Sequence, residues 1–366
     1  MNPPLIKRET APVIGLDVSR LSFHVIRLAV CALVTLALAG CGVTRPVVKI
    51  GVVAPFEGRY RAVGYDVIYA VRLAVRERNA AGGINGYAVE VVSLDDGGDT
   101  AAATEQARKL ALDPAVVAVI GHWRDDTTLA GAPVYAGTGL PLVAPGVGAP
   151  GLSSYSPIAF RLYPTTAAIE AAARHVAASL GLERLAFVRS EADLVQVRGT
   201  SPEAVFIGLD PLPAAEAVTG LMRAGVRAKW LGGAALADPQ YFAIAGAAAE
   251  GSLVILGAPL PGDVAGADGF IARYRAIAGA EPGWRALLAY DATQLLFEAI
   301  AQAAAQGAPS RSGVAEALRR SQVQGLIGPI SFDAQGNWRQ ARLVVYQVAG
   351  GRLRLEGTVG AVSAPQ

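Results

Sequence analysis

Cysteine and histidine are scarce in this chain of 366 residues, which contains two cysteines and three histidines. Two cysteines exclude a disulfide-rich framework. The histidines, His24, His122 and His175, are too far apart for the short spacing of metal ligands. Charge of either sign is not in excess, with 32 basic and 30 acidic residues. The balance gives no indication of a nucleic-acid partner.

Motifs of common enzyme classes are missing as well. The sequence has no Gly-x-Ser-x-Gly elbow and no phosphate-binding Gly-Lys-Ser/Thr loop. A carboxylate pair built from Asp125 and Asp210 is the one catalytic arrangement to consider, and nothing beyond their positions supports it. We therefore expect a protein that is not an enzyme and that needs no metal and no cofactor.

The N-terminus has the pattern of an export signal. An apolar stretch of 12 residues, Leu28–Ala39, follows several basic residues. It is shorter than the roughly 20 residues of a membrane-spanning helix, and is typical of a signal peptide. It ends in Leu38-Ala39-Gly40-Cys41, which resembles a bacterial lipobox. We expect residues 1–40 to be a lipoprotein signal peptide.

In that class of signals Cys41 becomes the acylated first residue of the mature protein. The lipid would hold the protein on the bacterial membrane, outside the cytoplasm, and the mature chain would have no disulfide. One alternative is an ordinary signal peptide with a chance cysteine. A translation start downstream of Met1 is a further open point.

Apolar runs alternate with helical patterns in the first half of the chain. Such alternation predicts βαβ units and a parallel sheet. The runs are Lys49–Ala54, Tyr87–Val92, Ala115–Ile120 and Pro141–Ala144. The first predicted helix spans about Ala62–Ala80. The second starts near Asp99 and ends before Asp113, and the third starts near Asp125 or Asp126 and contains Pro133.

The turns between these runs carry a family likeness. Asn79–Gly86 (NAAGGING), Leu94-Asp95-Asp96, Val119–His122 and Ala144-Pro145-Gly146 occur in this order and spacing. The chain thereby resembles the type I periplasmic binding proteins, and especially the branched-chain amino acid components of ABC importers. The resemblance implies an α/β fold of two Rossmann-like lobes with parallel central sheets, joined by a multi-strand hinge. It also implies a small-molecule ligand between the lobes, and permease and ATPase subunits as partners.

The resemblance divides the mature chain into segments. We expect the first lobe at 41–157, the second lobe at 158–256, a return to the first lobe at 257–338, and the hinge with C-terminal strands at 339–366. The second lobe is shortened, because only Glu191–Arg198 lies between two expected parallel strands, where about a dozen linking residues are needed. We infer that one helix and one edge strand are missing, leaving a sheet edge unprotected. A divergent gene whose product folds poorly is the alternative.

Ligands of open α/β sheets bind beyond the carboxyl ends of strands. This rule selects the loops Pro55–Arg61, Gly121–Asp126 and Ala144–Gly148, and the second loop leads into a helix whose free N–H groups favour an anion. Tyr290 is added because Tyr290-Asp291 resembles a family pair near the cleft. The candidate ligand-binding residues are Phe56, Glu57, Trp123, Arg124, Asp125, Gly146, Val147, Asp210 and Tyr290.

Several of these residues have a structural interpretation that stays open. Trp123 is equally suited to packing between the lobes, and Arg124 to a solvated loop. Asp125 and Asp126 are good helix N-caps. Asp291 is expected to cap a helix, and the pair Asp95-Asp96 to be structural.

The residues that hold an amino acid in the family are not intact. The resemblance implies that a hydroxyl in the second loop, with backbone and a hydroxyl in the third, hold the α-carboxylate. Asp125 and Gly148 stand at those hydroxyl positions, and Ala234 stands at the acidic clamp for the α-ammonium. Asp210 could replace part of the wall that the missing unit would supply. We expect a small polar ligand other than a standard zwitterionic α-amino acid, with a non-transport sensing or interaction lipoprotein as the alternative function.

Overall fold

The first of two sheets is built from the apolar runs of the N-terminal half. The computed structural model describes residues 45–359, and its first sheet has five parallel strands in the order β2-β1-β3-β4-β5. The strands are β1 (Val47–Ala54), β2 (Ala88–Asp95), β3 (Val116–Ile120), β4 (Leu142–Pro145) and β5 (Ala159–Leu162). The predicted parallel sheet is thus confirmed, and its strands are buried on both faces where β3 and β4 run.

Helices cover both faces of this sheet. Those of the N-terminal half are α1 (Arg61–Ala80), α2 (Thr100–Leu112), α3 (Asp125–Gly137) and the short α4 (Leu152–Tyr155). The Asp99 side chain accepts a hydrogen bond from the Ala102 N–H at 2.8 Å and so caps α2 as predicted. Three later helices, α9 (Asp268–Ala278), α10 (Trp284–Ala304) and α11 (Arg311–Arg319), also belong to this lobe, where α10 packs against α1 and α11.

The second sheet has six strands in the order β13-β12-β9-β8-β7-β6. Its parallel part is β6 (Leu185–Val188), β7 (Ala204–Ile207), β8 (Lys229–Gly232) and β9 (Leu253–Leu256). The antiparallel strands β12 (Leu343–Ala349) and β13 (Arg352–Val359) extend it beyond β9. Its helices are α5 (Thr166–Ser179), α6 (Glu191–Arg198), α7 (Pro211–Arg223) and α8 (Pro239–Ala245), and a separate hairpin pairs β10 (Val323–Gly325) with β11 (Gly328–Ile330).

The chain passes between the lobes at slightly different places from those predicted. The second lobe was expected to begin at residue 158, but residues 159–162 form β5, which pairs with β4 in the first sheet from Leu142↔Ala159 to Pro145↔Leu162. The first lobe therefore extends to Leu162. Residues 339–366 were expected to be hinge and terminal strands, and the described part of this segment supplies β12 and β13 of the second sheet.

The segment Glu191–Arg198, which the sequence predicts as a short link between β6 and β7, is the helix α6. Ser190 and Asp193 form a capping box at its start. The two strands are direct parallel neighbours, with Leu185 opposite Ala204, and β6 forms the edge of the described sheet. The second lobe thus closes its sheet with one short connection.

The predicted signal peptide and Cys41 lie outside the described residues. Among the helices between residues 45 and 359, none is both long and apolar enough to cross a membrane.

Candidate functional site

A cavity of about 370 Å³ lies between the two lobes, at the carboxyl ends of β3, β4, β7 and β8. Both lobes line it, as expected for a ligand site in an open α/β fold. From the first lobe come Tyr60, Val63, Trp123, Arg124, Asp125, Asp126, Gly146 and Arg285, and from the second Gly208, Leu209, Asp210, Pro211, Ala234, Ala235 and Asp238.

Arg124 is the centre of a charged cluster that connects the lobes. Its Nη1 donates to both carboxylate oxygens of Asp210 at 3.2 Å, and its Nε and Nη2 donate to Asp126 at 3.1 and 2.8 Å. The guanidinium carbon lies 4.1 Å from the centroid of the Tyr60 ring, and the Tyr60 hydroxyl donates to Asp210 at 2.8 Å. We call these four residues the Arg124 cluster. Since Asp210 follows β7, the cluster pairs the first lobe directly with the second.

The cluster shifts the titration of its members. Burial, and then the hydrogen bond to Asp210, raise the pKa of Tyr60 to about 12. Burial alone would lower the pKa of Arg124, but the carboxylates of Asp126 and Asp210 hold it above its usual range. Arg124 therefore stays charged and paired at any physiological pH.

Asp125 is occupied by the backbone of the neighbouring loop. Its Oδ1 accepts a hydrogen bond from the Gly148 N–H at 3.0 Å. Burial raises the pKa of Asp125, while the N–H of Gly148 and the charge of Arg161 act in the opposite direction. Gly148 cannot carry a side chain without moving its neighbours, because a Cβ there would lie 2.8 Å from the Thr166 hydroxyl. The carboxylate of Asp125 thus uses a backbone donor of the third loop.

Arg285 lies in the first turn of α10, and its position depends on Asp66. The Asp66 carboxylate accepts from the N–H of Gly283 at 2.8 Å and of Ala286 at 3.1 Å, which anchors the start of the helix. Within residues 45–359, the Arg285 side chain has no hydrogen bond and no ion pair, and its Nε is buried without an acceptor. Its guanidinium carbon lies 4.3 Å from the centroid of the Trp284 ring. Burial lowers the pKa of Arg285.

Trp123 contributes a second buried donor to the same cavity. Its side chain is 4% exposed, its backbone has a φ of 81°, and its indole Nε1 has no acceptor among the described residues. Gly146, at a φ of 76°, lies against the rings of Trp123 and Trp284, since a Cβ there would contact both at 3.4–3.5 Å. The left-handed φ, rather than the contact distance, is what favours glycine at this position.

The model of the periplasmic binding protein family matches this chain over residues 47–197 and 191–352. The chain belongs to this family. The two matched segments overlap at residues 191–197, within α6.

Relatives and solved structures agree with this assignment of the binding protein. An amino acid binding protein of Pseudomonas aeruginosa is 25% identical over 340 residues, which cover 82% of this chain and 90% of the relative. A branched-chain amino acid transporter substrate-binding protein of Streptococcus pneumoniae, solved with isoleucine, matches with a TM-score of 0.75 and 24% identity over 86% of this chain and 99% of that one.

A solute-binding protein of an ABC transporter from Rhodopseudomonas palustris, solved with 3,4-dihydroxybenzoic acid, has a TM-score of 0.73 and 20% identity, over 87% and 99% of the two chains. Curated Leu/Ile/Val-binding protein homologues of Brucella abortus are matched over only 30% of their own length. The solved structures confirm the fold of two lobes.

The structure of this binding protein brings five of the nine candidate residues to the cavity, namely Trp123, Arg124, Asp125, Gly146 and Asp210. Phe56 and Glu57 do not line it, and their N–H groups donate to Asp95 at 2.7 and 3.3 Å.

Val147 is fully buried in the core of the first lobe. The Tyr290 hydroxyl donates to Glu77 at 2.7 Å and so joins α10 to α1.

Asp291 was expected to cap a helix, and this expectation is wrong. It lies within α10 and accepts from the N–H groups of Leu326 and Ile327 at 3.0 and 2.8 Å. Burial raises its pKa to about 6. Asp291 therefore holds the turn between β10 and β11 in place.

A buried polar network supports the loop after β3. His122 Nδ1 lies 2.9 Å from Asp96 Oδ2, and its Nε2 lies 2.9 Å from the Tyr135 hydroxyl, with all three residues almost fully buried. Asp95 and Asp96 thus have the structural contacts expected of them. Between residues 45 and 359, no three His, Cys, Asp or Glu side chains are arranged to hold a metal ion.

Sequence reasoning missed Arg285, Tyr60 and Asp238 at the cavity. The apolar run after Arg285 predicts a helix from about Leu287, whereas α10 begins at Trp284. Pro282-Gly283 before an apolar run was a usable start signal, and it would have placed Arg285 in the first turn.

Proposed function

We propose that this protein is the solute-binding component of an ABC importer. It acts outside the cytoplasm, is anchored to the membrane through lipid on Cys41, and captures a small molecule between its lobes. A membrane permease and a cytoplasmic ATPase are the proposed partners. The observation that supports this proposal most is the cavity at the strand ends, because residues of both lobes line it and a bound molecule would contact both.

Two features support a ligand other than a standard α-amino acid. The Asp125 carboxylate already accepts the N–H of Gly148 and occupies the position where the family resemblance implies that a hydroxyl holds the α-carboxylate, so a ligand carboxylate has to bind elsewhere in the cavity. The small residues Ala234 and Ala235 line the cavity where the family resemblance implies an acidic clamp for the ammonium. The relatives and neighbours named above are described with amino acids and with an aromatic acid, and the proposed ligand lies within that range of small acids.

The short link that α6 makes between β6 and β7 favours one alternative, a sensing or interaction lipoprotein on the same scaffold. Its β6 edge and the helix α6, where Val195 is 70% exposed, offer a surface that a transport role does not require.

A ligand screen tests the capture function. Detergent-solubilised full-length protein is melted with amino acids, amides, short peptides, aromatic acids and polyols. A true ligand raises the melting temperature further with each tenfold increase in its concentration, since its stabilisation grows with the logarithm of concentration and is about 2.7 kcal/mol at 100 times its Kd. If no compound class raises the melting temperature, capture of a small solute is contradicted.

Transport and anchoring are tested in cells. Uptake of the ligand that depends on both this protein and a co-expressed permease supports the importer, whereas ligand binding without uptake supports sensing. Labelled palmitate is expected on the wild type and not on Cys41→Ala.

A further inference from the structure

We propose, on the basis of the function proposed above, that the cleft ligand is an apolar carboxylic acid that lacks an α-ammonium group. Its carboxylate is held by Arg285. The apolar body of the acid lies against Trp123 and the small residues of the second lobe.

The two arginines of the cavity differ in whether protein groups pair with them. Arg124 donates to Asp126 and to Asp210, so that its guanidinium is fully engaged by protein carboxylates. Arg285 lines the same cavity and has neither a hydrogen bond nor an ion pair within residues 45–359. A half-buried guanidinium with a shielded Nε and no acceptor is a site for an anion, and its planar fork matches a carboxylate.

The acidic groups near Arg285 each accept hydrogen bonds from other donors, and neither pairs with it. Asp66 accepts from the N–H groups of Gly283 and Ala286 and from the Tyr274 hydroxyl. Asp238 accepts from the Gln240 N–H at 2.9 Å as the cap of α8, and it makes no ion pair with Arg285. The third neighbour is the Tyr163 hydroxyl, which is buried and accepts from the Gly257 N–H. No protein group therefore takes the place of an external carboxylate.

The acidic side chains of the lining determine whether the cavity can hold an ammonium group. Asp126 and Asp210 are paired with Arg124, and Asp125 is held by Gly148. Asp238 is the remaining acid of the lining, and its charge acts on Arg285 itself, so an ammonium beside it would face a guanidinium. A zwitterionic ligand would therefore bring its positive group to Arg285 along with its carboxylate. An acid without an ammonium avoids this repulsion.

The rest of the lining determines what the body of the ligand can be. Val63, Leu209, Ala234 and Ala235 make much of the remaining lining apolar, with the Trp123 ring at one side. The volume of about 370 Å³ is near the lower end for small-molecule sites, which favours one ring or one branched chain. The Trp123 Nε1, which lacks an acceptor, is a second donor near the acid.

Calorimetric titration of the detergent-solubilised full-length protein tests this proposal with two matched pairs. Benzoate and benzamide differ in charge, and 4-methylpentanoate and leucine differ in the α-ammonium. We expect the two acids to bind at least about tenfold more tightly than their partners, because one charged hydrogen-bonded contact is worth about that much.

The variants assign the contact to Arg285. We expect Arg285→Gln to weaken benzoate binding about 10- to 100-fold and Arg285→Lys to weaken it less, since lysine keeps the charge but not the fork. Trp123→Phe, which keeps an aromatic ring but loses the N–H, is expected to show a smaller loss. The control is Arg275→Gln, a change on α9 that removes a surface ion pair with Glu281 and is expected to leave binding unchanged.

These experiments distinguish a failure of the carboxylate assignment from a failure of the proposed solute capture. Any one of three results overturns the carboxylate assignment and leaves solute capture standing. The first is that benzamide binds as well as benzoate, and the second is that leucine binds more tightly than 4-methylpentanoate. The third such result is an equal benzoate affinity in Arg285→Gln and Arg275→Gln. If Arg285→Gln does not fold, as judged by circular dichroism, Arg285→Lys and the matched ligand pairs on the wild type decide. Failure of every compound here and in the broad screen overturns both.

Discussion

The loop after β3 and the first turn of α10 each bring one arginine to the cleft, but the two regions differ in how they use it. In the loop, Arg124 lies between Asp126 of its own lobe and Asp210 of the other, at 2.8–3.2 Å. In α10, Arg285 lies beside Trp284 with no acceptor within residues 45–359. Two residues of one type in one cavity therefore differ in whether the protein pairs them.

The difference follows from what surrounds each side chain. Arg124 is followed by two acidic residues and reaches a third across the cleft, so its charge is neutralised by the protein. Arg285 is placed by Asp66, whose carboxylate is engaged by backbone donors. A charged group that the fold positions but does not pair is the better candidate for ligand contact. A charged group that the protein already pairs, such as Arg124, instead holds the two lobes together.

The largest effect is expected from Asp66→Ala, which removes the anchor of the Arg285 region. The N–H groups of Gly283 and Ala286 lose a buried acceptor, which we expect to lower the free energy of unfolding by about 2–4 kcal/mol. Urea denaturation measures this change. Asp268→Ala, an exposed aspartate in the first turn of α9, is the control, and an Asp66→Ala effect no larger than that of the control would show that the anchor is unimportant.

A smaller effect is expected from Arg124→Gln, which breaks the ion pairs of the Arg124 cluster. Since the side chains of Asp126 and Asp210 are 46% and 41% exposed, solvent screens these pairs and the loss of stability is about 1 kcal/mol or less. The more informative result is the shape of the molecule without ligand. We expect a larger radius of gyration by small-angle X-ray scattering, because the contact between the lobes is lost. A radius equal to that of Arg275→Gln would contradict this role of the cluster.

The smallest effect is expected from Tyr60→Phe. The change removes one hydrogen bond to Asp210 and keeps the ring beneath Arg124, so the unfolding free energy should fall by about 0.5–1 kcal/mol. Thermal melting measures it, with Tyr65→Phe, a half-exposed tyrosine on α1, as the control. A loss as large as that of Asp66→Ala would show that the Arg124 cluster, and not the start of α10, supports the cleft.

The fold could be predicted from the sequence because its signals are local. The apolar runs give β1 to β4, Asp99 caps α2, and the segment Glu191–Arg198 forms the predicted link α6. The strand-end rule also selects the loops that carry Trp123, Arg124 and Gly146. These features depend on periodicity and turn chemistry, which neighbouring residues determine.

The contents of the cavity depend on contacts between distant residues, which no local pattern contains. The N–H groups of Phe56 and Glu57 donate to Asp95, and the Tyr290 hydroxyl donates to Glu77. Arg285 is brought to the cleft by an aspartate on α1 that lies more than two hundred positions earlier in the chain. Side-chain pairing of this kind decides which polar residues stay available for a ligand.

The most direct test of the account is a crystal structure of the protein grown with benzoate. We expect the carboxylate of benzoate in the cleft, with its oxygens roughly 2.7–3.2 Å from the guanidinium nitrogens of Arg285 and its ring beside Trp123. In the same structure Arg124 should still be paired with Asp126. Benzoate bound with its carboxylate at Arg124, with Arg285 turned away and paired to Asp238, would contradict the distinction between the two arginines.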